Sequence, residues 1–348
     1  MQENYIEVEL DETVLKQLGY DISYDDEDYK WFGKPKGLIY FKKNGQEINA
    51  IDIPSTYEYN GKKYKITQIG TDAFAYNTAL TSVTIPDGVT KIGQAAFRDC
   101  TSLRTVIIPD SVTEIVCGAF VNCESLTSIR LPKNITKIDK STFIGCKSLT
   151  NLKLPNSVTL IDDGAFAYCF SFTNITIPDS VTKIEGHVFS NCSSLKNLKI
   201  SNNITKIPAC AFYYCKSLTS VEIPDGVTEI GDSSFENCSS LTSITIPNSV
   251  IKIGKEAFKY CSSLTSITIP NSVIKIGKEV FKDCSSLTNL TIPNSVTFIG
   301  EEAFSGCSSL TNVIIPNTVT HIGENAFKNI PHIEYHGSAV PWGAKSIN

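Results

Sequence analysis

The sequence predicts a solenoid of stacked coils, and three observations carry that expectation. Phe recurs every 23 residues from Phe74 to Phe327 with no insertion or deletion. Cys follows three positions behind it from Cys100 to Cys307. Pro marks the same beat from Pro86 to Pro316, with Ser201 filling the one gap. A period held this strictly means that each unit stacks on its neighbours, because an insertion would break the side-chain columns that bury the core. About twelve 23-residue units follow.

The N-terminal region stands apart. Residues 1–30 hold ten acidic side chains against two lysines, a net −8, which leaves +3 for the remainder of a chain of net charge −5. The opening MQENYIEVELDE is acidic with no apolar run, so it is not a signal peptide; the expectation is either an intracellular chain or a mature, trimmed one. The run Asp25-Asp26-Glu27-Asp28 lacks the alternating ligand spacing and the Gly of a calcium-binding loop and reads as solvated surface. Asn44-Gly45 and Asn60-Gly61 each sit between alternating apolar residues, the signature of a tight hairpin turn. Residues 1–47 are therefore expected to form an N-terminal cap with a β-hairpin. A solenoid over 48–329 follows, opened by a longer first repeat at 48–79. Residues 330–348, with Tyr335 and Trp342, are expected to cap the other end, since an open solenoid end exposes core and strand edges.

The repeating unit reads L-T-x-I-x-I-P-x-x-V-x-x-I-G-x-x-A-F-x-x-C-x-S, and residues 241–263 and 264–286 are near-identical copies of it. LTSITIP is a short strand with Leu241, Ile244 and Ile246 inward and polar residues between. Pro247 has no N–H and ends the ladder. SVIKIG is a second extended piece pointing Val250 and Ile253 inward. KEAFKYC is expected to be a short helical turn that drives Phe258 and Cys261 into the core. Stacked, the units place one strand per coil at a spacing of about 4.8 Å.

These residues resemble a leucine-rich repeat. More narrowly, C-x-S-L-T-x-I-x-I-P-x-x-V-x-x-I-G-x-x-A-F is similar to the unit of the BspA-like leucine-rich repeat family, also called the Treponema pallidum-type repeat. The resemblance covers about residues 48–333, and the tail IPHIEYHGSAVPWGAKSIN is similar to the C-terminal ends of such proteins. It implies a leucine-rich repeat solenoid: a right-handed coil with a parallel β-sheet on the concave face and extended pieces and helical turns on the convex side. It further implies a bacterial or protist surface protein used in adhesion to host proteins or other cells.

Little in the chain points to chemistry. The twelve cysteines include no C-x-x-C pair. Ladder neighbours would hold their Cβ atoms near the strand spacing of about 4.8 Å, wider than the roughly 3.8 Å of a disulfide. They read as reduced, buried packing residues. Cys117 and Cys210 lie off the beat. HIEYH at 332–336 is not H-E-x-x-H and sits in the capping tail, so its histidines read as ordinary surface residues. No nucleophile motif or phosphate-binding Gly loop occurs, and no catalytic residue, metal site or cofactor is expected. The acidic balance argues against a general nucleic-acid binder, and no apolar stretch reaches the length of a membrane span.

Function is then expected from surface. One strand column contains Ser82, Thr105, Ser128, Asn151, Asn174, Asn197 and their successors to Asn312; the next runs from Thr84 through Arg130, Lys153 and Lys199 to Ile314. Both are mostly small and polar, with few of the aromatic anchors that dominate interfaces. Arg130, Lys153 and Lys199, with Lys133 and Lys196 alongside, form a basic stripe. The coil at 195–217 departs most from the repeat, losing the strand-ending Pro and carrying Pro208 where Gly is usual. The candidate partner-binding residues are Arg130, Lys153, Lys196, Lys199, Asn151, Asn174 and Asn197. The expected function is a monomeric, non-enzymatic scaffold that binds a protein partner, in particular an extracellular host or neighbour-cell protein. An intracellular scaffold and a non-catalytic module of a larger secreted protein are the alternatives.

Overall fold

The computed structural model describes residues 6–19, 21–23, 30–31, 34–35, 40–43 and 46–336. Residues 1–172 and 173–348 are two compact units, built of the same three-sided coil. In the duplicated coils, side one is the strand Ser243–Thr245 or Ser266–Thr268, and side two is Lys252–Ile253 or Lys275–Ile276. Leu241, Ile244, Ile246, Val250, Ile253, Phe258 and Cys261 are buried, while Thr242, Ser243 and Thr245 between them are exposed. The period-2 alternation of a half-buried strand thus decides which residues face out.

In the second unit, side one pairs Asn174–Thr176 with Asn197–Lys199, Ser220–Glu222 with Ser243–Thr245, Ser266–Thr268 with Asn289–Thr291, and Asn312–Ile315 with His332–Tyr335, all parallel. Side two is a six-stranded ladder from Lys206–Ile207 to His321–Ile322. In the first unit, side one begins with Ala50–Asp52, Ser82–Thr84 and Thr105–Ile107. Side two begins with Ile6–Leu10, which lies parallel to Lys62–Ile69 as the outermost strand. The hairpin Thr56–Tyr59/Lys62–Ile69 turns at Asn60 and Gly61, with φ of 49° and 73°, the left-handed pair that its Asn-Gly dipeptide favours. Strands Tyr40–Lys43 and Gln46–Ile48 are antiparallel; the Asn44-Gly45 dipeptide between them, the acidic run at 25–28 and Trp342 lie outside the described residues.

Phe rings stack coil upon coil. Centroids are 5.1, 5.3, 5.5 and 5.6 Å apart from Phe74 to Phe166, and 5.5 Å apart from Phe235 to Phe258 and from Phe258 to Phe281. Each buried Phe contributes about 1.5–3 kcal/mol by burial, and each ring pair about 0.5–1.5 kcal/mol more. Hydroxyls satisfy carbonyls between coils: Thr265 Oγ1 donates to Thr242 O at 3.4 Å and Ser249 Oγ to Val227 O at 2.6 Å.

Side three differs from the helical turn that the sequence suggests. No helix forms there. Glu256, Phe258 and Tyr260 donate their N–H groups to Lys278, Val280 and Lys282 of the next coil at 3.0, 2.9 and 2.9 Å, while Lys259 and Cys261 close turns onto Glu256 and Phe258. Glu256 and Tyr260 hold φ of 59° and 61°, and the same left-handed pair recurs from Asp72/Tyr76 to Asn325/Asn329. The reason is steric. A helix is about 10 Å across, and coils 5.5 Å apart cannot each carry one. Left-handed residues four apart instead turn the N–H groups along the stack.

Two kinds of glycine answer to this geometry. Gly164 (φ 63°) occupies a left-handed position, and a Cβ there would meet only Ser141 Oγ at 3.7 Å. At Gly93 a Cβ would lie 2.7 Å from the backbone of Gly70 and Thr71. Gly164→Ala is expected to cost about 1 kcal/mol of left-handed strain, and Gly93→Ala about 3 kcal/mol, since backbone cannot step aside as a side chain can. Urea midpoints of the two variants check the order.

Side three also carries charge. Lys259 Nζ lies 2.7 Å from Glu279 and 3.5 Å from Glu256, and Lys282 lies 3.5 Å from Glu279 and pairs with Glu302. Burial raises the Glu279 carboxyl, but the hydrogen bond from Lys259 and the charge of Lys282 outweigh it and hold the group below its usual 4.5. Burial, aided by Glu256, pushes Glu236 the other way. A lowered acid contributes stability above its unfolded value and loses it as pH falls through the folded one; a raised acid opposes folding at neutral pH. Glu279→Gln should therefore lower the urea midpoint at pH 7 and flatten its fall below pH 4.5, while Glu236→Gln should leave or raise the midpoint at pH 7.

Candidate interaction surfaces

The interior is chemically quiet. Each thiol with its partner in the same unit donates Sγ–H to the carbonyl of a Phe in the preceding coil: Cys100 to Phe74 at 3.0 Å, Cys146 to Phe120 at 3.2 Å, Cys261 to Phe235 at 3.2 Å and Cys307 to Phe281 at 3.2 Å. All twelve cysteines are free, the ten on the beat are buried, and Cys117 and Cys210 are half-buried. Burial pushes the Cys146 and Cys307 thiols up to about 12 and those of Cys215 and Cys284 well above the ordinary 9.0. Nucleophilic attack and metal ligation need the thiolate, which this setting suppresses. Among the described residues no group of three or more His, Cys, Asp or Glu is placed to hold a metal, and no helix is long and apolar enough to cross a membrane.

Side one presents the expected columns. In the second unit, Asn197 Nδ2 donates to Asn174 Oδ1 at 2.5 Å, and Asn174 Nδ2 to Thr173 Oγ1 at 2.8 Å. Lys196 and Lys199 are exposed there. In the first unit, Asn151 and Lys153 are exposed, and Arg130 Nη2 chelates Asp110 at 2.7 and 2.9 Å. Lys133 Nζ also reaches Asp110, at 3.2 Å. The Arg130 hydrogen bond comes first in holding the Asp110 carboxyl below its ordinary value. The basic stripe is thus reduced in the first unit: one carboxylate engages two of its cations, and Lys153 keeps no ion-pair partner among the described residues. Asp110 follows the Pro of the preceding coil, out of phase with Arg130, so comparing residues at one phase of the repeat misses the pair.

The departing coil at 195–217 has a structural account. In regular coils a Ser two residues after the Pro donates to a carbonyl of the preceding coil, as Ser272 does to Val250 at 2.5 Å. Asn203 occupies that place here, and Ser201, at the Pro position, supplies the bond instead, to Val181 O at 2.6 Å. Ser201 is fully buried, and two exchanged residues keep one carbonyl satisfied.

Two features were not legible from column reading. Aromatic side chains emerge on side three: Tyr168 and Phe170, edge to face at 6.2 Å in the first unit, and Tyr213 against Tyr214 at 4.6 Å in the second, with Lys216 Nζ 5.2 Å from the Tyr214 ring. The second feature is an open cleft of about 420 Å³ on side one of the second unit, where the pair ending at Asn289–Thr291 meets the pair beginning at Asn312–Ile315. The HIEYH segment forms the last strand, and His336 Nε2 lies 2.9 Å from Glu334 Oε1 at the rim.

The BspA type leucine rich repeat region, in six copies, matches residues 67–196, 159–286 and 228–337. The chain belongs to the BspA-type leucine-rich repeat family. A leucine rich cell surface protein from Faecalibacterium prausnitzii is similar at 30% identity, with 92% of this chain and 94% of that one covered and a TM-score of 0.56. The pneumococcal vaccine antigen PcpA shares the fold at 22% identity, with 94% and 87% covered and a TM-score of 0.64. A leucine-rich repeat protein from Bacteroides ovatus is 26% identical over 90% of this chain and 98% of that one, with a TM-score of 0.49. No curated protein matches. BspA-type repeats are scaffolds for interaction, generally non-catalytic, and in this one thiols serve to join coils. Native protein treated with an aromatic disulfide reagent at pH 8 is expected to label at Cys117 and Cys210 alone, and at all twelve cysteines once unfolded; rapid native labelling of Cys238 would contradict the buried thiol–carbonyl ladder.

Proposed function

We propose that this chain is a non-enzymatic, monomeric scaffold that binds a protein partner through side one, secreted or held at the cell surface. The partner is a protein of a host or a neighbouring cell. The observation that carries this reading is the exposed cationic and amide side chains that side one presents to solvent. In the first unit these are Asn151 and Lys153, with Arg130 held over Asp110. In the second they are Lys196, Lys199 and the hydrogen-bonded Asn174 and Asn197. Such a surface recognises acidic groups with defined geometry. The likeness to a leucine rich cell surface protein supports the location. Residues 1–47 and 330–348 serve as caps for a solenoid over 48–329.

Protease applied to intact source cells tests the location: loss of the protein while cytoplasmic markers survive is expected, and survival until lysis overturns it. Partners captured from host-cell surface extracts then test the face. Lys153→Glu and, separately, Lys196→Glu with Lys199→Glu are expected to weaken capture at least tenfold without shifting the urea midpoint. Unchanged capture by both variants overturns the assignment to side one.

A further inference from the structure

The cleft at the end of side one gathers amides between its last two strand pairs. Within the strands, side-one amides hold one another or their neighbours: Asn197 binds Asn174, and Asn289 Nδ2 donates to Thr288 Oγ1 at 3.2 Å, whereas the amides that follow the Pro, such as Asn248 and Asn271, are left open to solvent as Asn294 and Asn317 are. Asn294, Asn312 and Asn317 line the cleft together with Thr291 and His336, and the three amides have no hydrogen-bond partner among the described residues. Ile314, half exposed at 50%, and Pro316 supply an apolar wall.

We propose that this cleft binds a neutral, polyhydroxylated ligand, a sugar ring of a glycan. Its volume of about 420 Å³ lies within the range of small-ligand sites. Each amide offers both an acceptor and two donors, the combination that a pair of neighbouring hydroxyls can satisfy at once. Ile314 and Pro316 suit the C–H face of a pyranose. No Lys or Arg lines the cleft, and Glu334 already engages His336 at 2.9 Å, so an anionic ligand meets no unpaired cation. Phe281 and Phe304 of the two coils that flank the cleft stack at 5.4 Å, which leaves no room between those coils for an added peptide strand at about 4.8 Å from each. This site is separate from the side chains assigned above to a protein partner.

Saturation-transfer NMR and calorimetry on the full chain, with glucose, galactose, mannose, N-acetylglucosamine and their neutral disaccharides as probes, test the inference. At least one sugar is expected to bind. Asn312→Ala and Asn317→Ala should each weaken it about three- to tenfold, and Ile314→Glu should abolish it, with urea midpoints unchanged. Lys153→Glu should leave sugar binding intact, which separates this site from the protein-binding face. Failure of every probe to bind overturns the proposal. So does unchanged affinity in both Asn variants, or tighter binding of a sulfated sugar than of its neutral parent.

Discussion

Everything in this fold answers to one distance, the separation of about 5.5 Å between successive coils seen in the Phe stack from Phe235 to Phe281. At that separation three backbone segments per coil can donate to the next. Side two does so as parallel ladders, and side one as separate runs of two or three parallel strands. Side three does so through left-handed turns, because a helix is too wide. The same distance selects Gly where backbones approach, as at Gly93. It also brings each ladder thiol whose partner lies in the same unit to within 3.0–3.3 Å of a Phe carbonyl one coil back. A Cys is small enough to be fully buried at this place and supplies a weak donor where a methyl group would supply none. Insertions are absent because any of them would move all three ladders at once.

The constraint divides the molecule into an interior that is repeated and an exterior that is free to vary. Interior positions carry no spare chemistry: the Glu279 carboxylate is held by lysines of adjacent turns, and the thiols are kept protonated by burial. Recognition has to be built from residues that alternate outward on side one or emerge from the turns of side three. That arrangement suits a scaffold, since every coil offers the same few outward positions to substitution at little cost to the stack.

Much of this was readable from the repeat. Leu241, Ile244, Ile246, Val250, Ile253, Phe258 and Cys261 face inward as their spacing implies, and Asn60-Gly61 turns as its dipeptide implies. The misreading at KEAFKYC has a clear origin. Phe258 and Cys261 are three apart and flanked by Lys, Glu and Ala, which is also the pattern of a helix face. Propensity yields here to the spacing of the coils, which no single unit reveals. The Arg130–Asp110 chelate escaped for a related reason. Columns compare residues at one phase of the repeat, whereas side chains as long as Arg reach across phases.

The coil at 195–217 shows why departure from a repeat is a poor guide to function unless its hydrogen bonds are traced. Ser201 and Asn203 both break the pattern, yet the Val181 carbonyl keeps its donor at 2.6 Å, so the change is absorbed inside the stack. Asn312 and Asn317 break nothing conspicuous in the sequence, and Asn recurs in their columns. Their amides nonetheless find no partner among the described residues and line an open cleft. An outward polar group already bound to its neighbour is part of the scaffold. One left unbound and grouped with others is available to a ligand, and in this molecule that difference separates Asn197 from Asn312 more sharply than anything in their place along the repeat.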